Sequence, residues 1–309
     1  MIVALAGGVG AARLLQGLVQ IVDPADITVV ANTGDDVVLH GLHISPDLDT
    51  LTYTLAGAVN PDTGWGLAGE SWHAMEALER YDGLTWFRLG DRDLATHLYR
   101  TQRLGEGATL SEVTAEIAAA WGLRLRILPV SDDRVETRVV LAEDGADIGF
   151  QEYFVQRRHA VAVQAVHFRG ADDALPAPGV LEAIAEAASV VVCPSNPIVS
   201  LGPLMAVPGV AEAVAARRKD VVAVSPIVAG AAVKGPADRL LAELGHEPSV
   251  VGVARLYSNV ASVLVVDEAD AALAPRVEEE GLRCLVAPAV MRTPEDAAAL
   301  ARATLGALR

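Results

Sequence analysis

The sequence predicts an α/β fold: a Rossmann-like, doubly wound, mostly parallel sheet carrying a helical and a small β insertion. Three observations predict it. The chain opens on a short apolar run, residues 2–6, closed by Gly7-Gly8-Val9-Gly10. A helical pattern and a second apolar run, Ile27-Thr28-Val29-Val30-Ala31, follow, and such a β-loop-α-β unit calls for parallel strands. From residue 179 onward, apolar runs alternate cleanly with helical patterns. Two of those runs, Val190-Val191-Val192 and Val221-Val222-Ala223-Val224, are unbroken, as strands buried on both faces require.

Taken in order, Ala11 to Leu18 places Leu14, Leu15 and Leu18 on one helix face. Helical patterns then cover 47–57, 69–80, 93–104 and 110–121. Thr85-Trp86-Phe87-Arg88 reads as a short strand among them, and Leu125 to Pro129 as another. Residues 134–170 alternate irregularly about a turn at Asp144-Gly145, which predicts a hairpin. Val161 to Phe168 reads as a further strand. The remaining elements are helices near 179–187, 208–218, 236–244, 268–279 and 294–308, and strands at Ser189–Cys193, Val221–Ser225, 262–266 and 282–286. We expect a single domain over 1–309, with a mainly helical segment at about 45–125 and a small β insertion at about 134–170.

Composition narrows the function. Acidic residues outnumber basic ones 40 to 24, for a formal net charge of −16. Nucleic acid and anionic membrane both need a basic face, so neither is expected as a partner. The longest uncharged stretch, Ala187 to Ala211, holds four prolines and does not read as a membrane helix. Without a basic leader, the start of the chain does not resemble a signal peptide, so a cytoplasmic location is expected. Cys193 and Cys284 form neither a disulfide framework nor a zinc pattern.

Five blocks carry chemistry. Gly7-Gly8-Val9-Gly10-Ala11-Ala12-Arg13 joins a strand to a helix, where glycines admit a phosphate close to backbone N–H groups at the positive helix end. Arg13 stands where a dinucleotide fingerprint wants a third small residue. Asn32-Thr33-Gly34-Asp35-Asp36 follows the second strand, at the edge where open α/β sheets bind ligands, and its acids suit Mg²⁺. Asp47 and Asp49, at a helix entrance, repeat that theme, although helix capping alone accounts for Asp47. Arg88-Leu89-Gly90-Asp91-Arg92-Asp93 is too charged for core, and Asp93 reads as an N-cap. Ser195-Asn196 sits just past a buried strand and suits a nucleotide phosphate or base. Nothing in the sequence reads as a nucleophile constellation, so positioning and charge neutralisation are the expected means of catalysis.

Together these blocks, with His43 to Thr50, Trp86 to His97 and Pro194-Ser195-Asn196-Pro197, resemble the 2-phospho-L-lactate transferase family of deazaflavin coenzyme F-420 biosynthesis. Ser225-Pro226-Ile227-Val228 and Lys234-Gly235-Pro236 fit as well. The resemblance implies a Mg²⁺-dependent, homodimeric transferase. It would move a phospho-organic-acid group from a guanosine diphosphate-linked donor to the deazaflavin acceptor 8-hydroxy-5-deazariboflavin, releasing GMP. By the resemblance, Asp49 and Arg88 are catalytic and contact the deazaflavin together with Asp91. Gly7, Gly8, Gly10, Ala11, Arg13, Ser195 and Asn196 hold the nucleotide, and Asp35 and Asp49 the metal. The near-absence of lysine (only Lys219 and Lys234) points to a GC-rich source and, within the family, to the actinobacterial phosphoenolpyruvyl donor rather than the phospholactyl one. A regulatory nucleotide-sugar-binding protein of related fold and a nicotinamide-dependent oxidoreductase are the alternatives. The Trp86–His97 block speaks against the first, and Arg13 and Asn32 against the second.

Overall fold

The computed structural model describes residues 1–308. Its centre is a seven-stranded parallel sheet of β1 (Ile2–Ala6), β2 (Ile27–Ala31), β3 (Arg126–Pro129), β4 (Ser189–Val192), β5 (Val221–Val224), β6 (Val263–Val266) and β7 (Arg283–Val286). The spatial order is β7-β6-β5-β4-β1-β2-β3. The chain therefore winds outward from β1 to β3, returns, and winds the other way from β4. The order reverses between β1 and β4, where the strand ends leave a crevice. Alternate side chains feed two cores. Val3, Leu5, Val190 and Val192 face one layer with Ile184 and Val210. Ala4, Ala6 and Val191 face the other with Leu14, Leu18 and Leu300.

The first five helices are α1 (Gly8–Leu18), α2 (Pro46–Leu55), α3 (His73–Glu79), α4 (Asp93–Gly105) and α5 (Leu110–Ala120). Local chemistry fixes their ends. Thr109 and Glu112 form a reciprocal capping box at α5, and Thr293 and Asp296 do the same for the last helix, Pro294–Gly306. That last helix lies on α1 through Gly17, where a Cβ would stand 2.1 Å from the Ala297 carbonyl oxygen. The insertion is a three-stranded antiparallel sheet of Glu136–Leu141, Asp147–Gly149 and Val163–Arg169. Its expected turn is present, with Gly145 at φ +70°. It docks on the loop after β2 through Thr137 N–H to the Gly34 carbonyl, 2.7 Å.

Two sequence expectations fail locally. Thr85–Arg88 is not a strand. Trp86 and Phe87 pack edge to face at 5.9 Å, and Phe87 joins a small cluster with Ile44, Met75 and Leu89, so the segment has no strand to pair with. The helix expected at 268–279 begins as a 3₁₀ turn, Glu268–Leu273, and becomes α-helical at Ala274–Glu279, with Pro275 in its first turn. Val250–Tyr257 is a helix the sequence reading did not anticipate, because Val-Val-Gly-Val carries no helical pattern. Ser249 starts it by accepting hydrogen bonds from the Val251 and Gly252 amides. A small antiparallel hairpin pairs Val37–Leu39 with Leu42–Ile44. Among the described residues, no helix is long and apolar enough to cross a membrane.

Candidate active site

At the switch point the loops after β1 and β4 touch. The Gly7 amide donates to Ser195 Oγ at 3.3 Å. A Cβ on Gly10 would lie 2.2 Å from the Pro194 carbonyl oxygen, and one on Gly7 would lie 2.8 Å from both Asp47 Oδ2 and Ser200 Cβ. These contacts demand glycine, and Gly8 adds a left-handed φ of +74°. Ala11 and Ala12 are buried behind the loop. Asn196 Oδ1 accepts the Ile198 amide at 2.9 Å and so shapes the β4 loop. Arg13 is exposed, and one of its guanidinium nitrogens donates to the Met291 carbonyl at 3.1 Å. The structure thus brings the two loops expected to hold a nucleotide into one cradle at the start of α1.

Beside that cradle the chain buries acids. Asp47 Oδ2 accepts from Asn32 Nδ2 at 2.9 Å, and the Asp47 carboxylate also accepts the Gly8 amide. It therefore faces the start of α1 and does not cap its own helix. Asp35 accepts from Asn32 at 3.4 Å and from Gln151 Nε2 at 3.2 Å. Asp36 Oδ2 accepts the Ser45 hydroxyl at 2.7 Å, while its Oδ1 is buried with no hydrogen-bond partner. Burial dominates the acidity of all three. It pushes Asp47 up to about 6 and Asp36 up to about 8, against the hydrogen bonds from Asn32 and Ser45 respectively. Asp35 is raised well above the usual carboxylate range, first by burial and then by the charges of Asp47 and Asp36.

Asp49 is different. Arg100 of α4 is only 1% exposed and clamps both Asp49 oxygens, with Nη1 at 3.1 Å from Oδ2 and Nη2 on Oδ1. The same Nη1 also donates to the His43 carbonyl, 3.3 Å. Behind it, His97 lies 3.3 Å from Asp93 Oδ2, and Asp93 Oδ1 accepts the Tyr53 hydroxyl at 2.6 Å. Asp93 is therefore not the N-cap expected from sequence. The first amides of α4 are met by Glu70, which accepts from Asp93 N at 2.9 Å and Arg92 N at 2.8 Å.

Arg88 and Asp91 lie on the outer side of this wall. Arg88 is exposed and stacks its guanidinium on Trp72 at 4.4 Å. Asp91 accepts from Ser71 Oγ at 2.6 Å and from the His73 and Ala74 amides at 3.0 Å, closing the start of α3. The Ser71 hydrogen bond is the largest influence holding its carboxyl below the ordinary range.

Three residues of the site escaped the sequence reading: Arg100, His97 as a partner of Asp93, and Gln151. The spacing 93, 97, 100 on one face of an anticipated helix was a legible signal for the first two. Gln151 arrives from the insertion and left no local mark.

Comparison with known proteins bears on the family and the fold. The family model described as 2-phospho-L-lactate transferase CofD matches residues 2–289. A protein named phosphoenolpyruvate transferase from Streptomyces griseus is 50% identical over 98% of this chain and 97% of its own length. Proteins of the same name from Thermobifida fusca and Mycolicibacterium smegmatis are 44% and 40% identical, each over 98% of this chain and 96% and 97% of their own lengths. Among solved structures, a UPF0052-family protein from Bacillus halodurans superposes with a TM-score of 0.62 at 18% identity, covering 98% of both chains, which bears on the fold alone. With matches along nearly its whole length, the chain belongs to the 2-phospho-L-lactate transferase (CofD) family.

Proposed function

We propose that this transferase moves a phosphoenolpyruvyl group from its guanosine diphosphate conjugate to the ribityl hydroxyl of 8-hydroxy-5-deazariboflavin, with release of GMP. One observation carries the reading: a backbone cradle for phosphate and a buried carboxylate cluster share the switch-point crevice, joined through Asp47, which touches Gly8 and Asn32 at once. The names of the actinobacterial relatives, at 40–50% identity, support the phosphoenolpyruvyl donor over the phospholactyl one.

The carboxylate cluster fits Mg²⁺. Asp36 Oδ1 has no partner, and the acids are held by amides and hydroxyls that do not neutralise them. The family resemblance pairs Asp35 with Asp49. The geometry favours Asp35 with Asp47, because both Asp49 oxygens are engaged by Arg100. The ion would supply charge neutralisation for the diphosphate.

The chain's own residues do the rest. The Val9 and Gly10 amides at the start of α1 and Ser195 hold the diphosphate, with Arg13 at the crevice mouth and Asn196 shaping the loop. Asp49, fixed by Arg100, accepts the hydrogen bond of the attacking hydroxyl and sets its direction. Arg88 on Trp72 and the neighbouring Asp91 face the flat acceptor. The hydroxyl oxygen bonds to the phosphorus that carries the organic acid. The bridging P–O bond breaks, GMP leaves with its electron pair, and the hydroxyl proton passes to a carboxylate or to water. We infer a homodimer on the family pattern. The test is direct: supplied with the enolpyruvyl donor, Mg²⁺ and the deazaflavin, the enzyme releases GMP and adds the enolpyruvyl phosphate mass to the acceptor. No GMP release overturns the assignment, and product formed only from the phospholactyl donor overturns the choice of acid. Full turnover by Asp49→Asn with unaltered Mg²⁺ affinity removes the role given to Asp49.

A further inference from the structure

The acidic pocket is larger than one ion needs. Asp49, Asp93 and His97 present one ligand atom each, all within 4.8 Å of one another. This is a ready imidazole-and-two-carboxylate set of the kind divalent metals take. His97 is 1% exposed, and its Nε2 lies 3.3 Å from Asp93 Oδ2. A guanidinium already occupies that place. Arg100 bonds both oxygens of Asp49, and its Nη1 lies 3.3 Å from His97 Nδ1. Arginine keeps its charge at any working pH, so this positive centre is permanent. The other side of the pocket is met differently. Asp35 and Asp47 receive only neutral donors: the Asn32 and Gln151 amides and the Gly8 N–H.

We propose that Arg100 takes the place of a second divalent cation at Asp49, Asp93 and His97, so that the pocket accepts one ion only, on Asp35 and Asp47. The proposal rests on the reading that this pocket holds Mg²⁺. In it Arg100 is a positioning residue. It fixes Asp49 without competing for the ion, and it keeps a two-metal arrangement from forming.

Mn²⁺ binding to the full chain, counted by equilibrium dialysis and followed by electron paramagnetic resonance, tests this without turnover. We expect one Mn²⁺ per wild-type chain, lost in Asp47→Asn. His97→Gln keeps that ion at unchanged affinity, because His97 does not ligate it. Arg100→Met gains a second, nitrogen-coupled Mn²⁺, and the double variant with His97→Gln loses that second ion. Arg100→Lys, which keeps a positive charge, stays at one. Two ions in the wild type, loss of the single ion in His97→Gln, or a folded Arg100→Met that still binds one ion overturns the proposal. Should Arg100→Met fail to fold, His97→Gln decides it alone. A wild-type chain that releases GMP yet binds no Mn²⁺ overturns both the metal reading and this inference, while the transferase assignment stands.

Discussion

Around the start of α1 the crevice is made of backbone: amides of Gly7 to Gly10, the Ser195 hydroxyl, and two loops so close that no Cβ fits between them. Between β2 and α2 it is made of charge: Asp35, Asp36, Asp47 and Asp49, with Arg100 as the buried cation among them. The two halves share one sheet edge and obey different physics. The glycine half is governed by steric distance and has little to gain from a change of pH or salt. The acidic half is governed by desolvation, and each of its groups changes the cost of its neighbours. On the proposed function, an anionic donor would meet the first half, and either protons or a cation would relieve the crowded acids of the second.

That contrast can be broken experimentally, the largest effect first. Arg100→Met leaves Asp49 buried without its partner, and removing one member of a buried pair costs about 3–5 kcal/mol. Urea unfolding should show a loss of that order, with Arg100→Lys recovering part of it. A loss under ~1 kcal/mol would mean that charge does not govern this half. Gly10→Val forces a side chain against the Pro194 carbonyl, and overpacking of this kind costs about 1–3 kcal/mol. Calorimetry should find GDP binding abolished while Mn²⁺ binding persists. Joint loss of both ligands would show that the halves are not independent.

The third test is pH. Asp47 and Asp36 bind protons more tightly folded than unfolded, with carboxyls up to about 6 and about 8. Stability in a chelator should therefore be highest near pH 4 and fall as pH rises through that window. Mg²⁺ should reverse the slope, because binding displaces those protons. A melting temperature that is flat from pH 5 to pH 8 with and without Mg²⁺ would contradict the buried-acid account. The smallest effect is a control outside both halves. Thr109→Ala removes one arm of the α5 capping box and should cost about 1 kcal/mol without changing Mn²⁺ or GDP affinity.

The same contrast explains what the sequence reveals. The doubly wound sheet is legible because β4, β5 and β6 are unbroken apolar runs whose burial leaves no alternative. The cradle is legible because close approach admits only glycine. The pairing of acids is not, because Asn32 with Asp47, Gln151 with Asp35 and Arg100 with Asp49 join residues far apart in the chain, on separate elements. The failed strand at Thr85–Arg88 belongs to the same class. Its aromatic pattern suits a strand, but strand formation needs a partner, and the fold places none there. Asp91 and Asp93 show that even a well-placed acid does not name its own partner: one caps α3, and the other turns inward to Tyr53.

The packing of the last helix on α1 has a consequence for how the protein is born. Gly17 meets Ala297 across almost the whole length of the chain, and Gly7 meets Ser195 across more than half of it. On the ribosome, the first strand and its glycine loop emerge early, but the partners that fix them emerge late. Contacts of such long separation make folding slow and leave the opening segment unprotected during synthesis. The glycine loop is thus made before the segments that fix it and is finished only when they arrive.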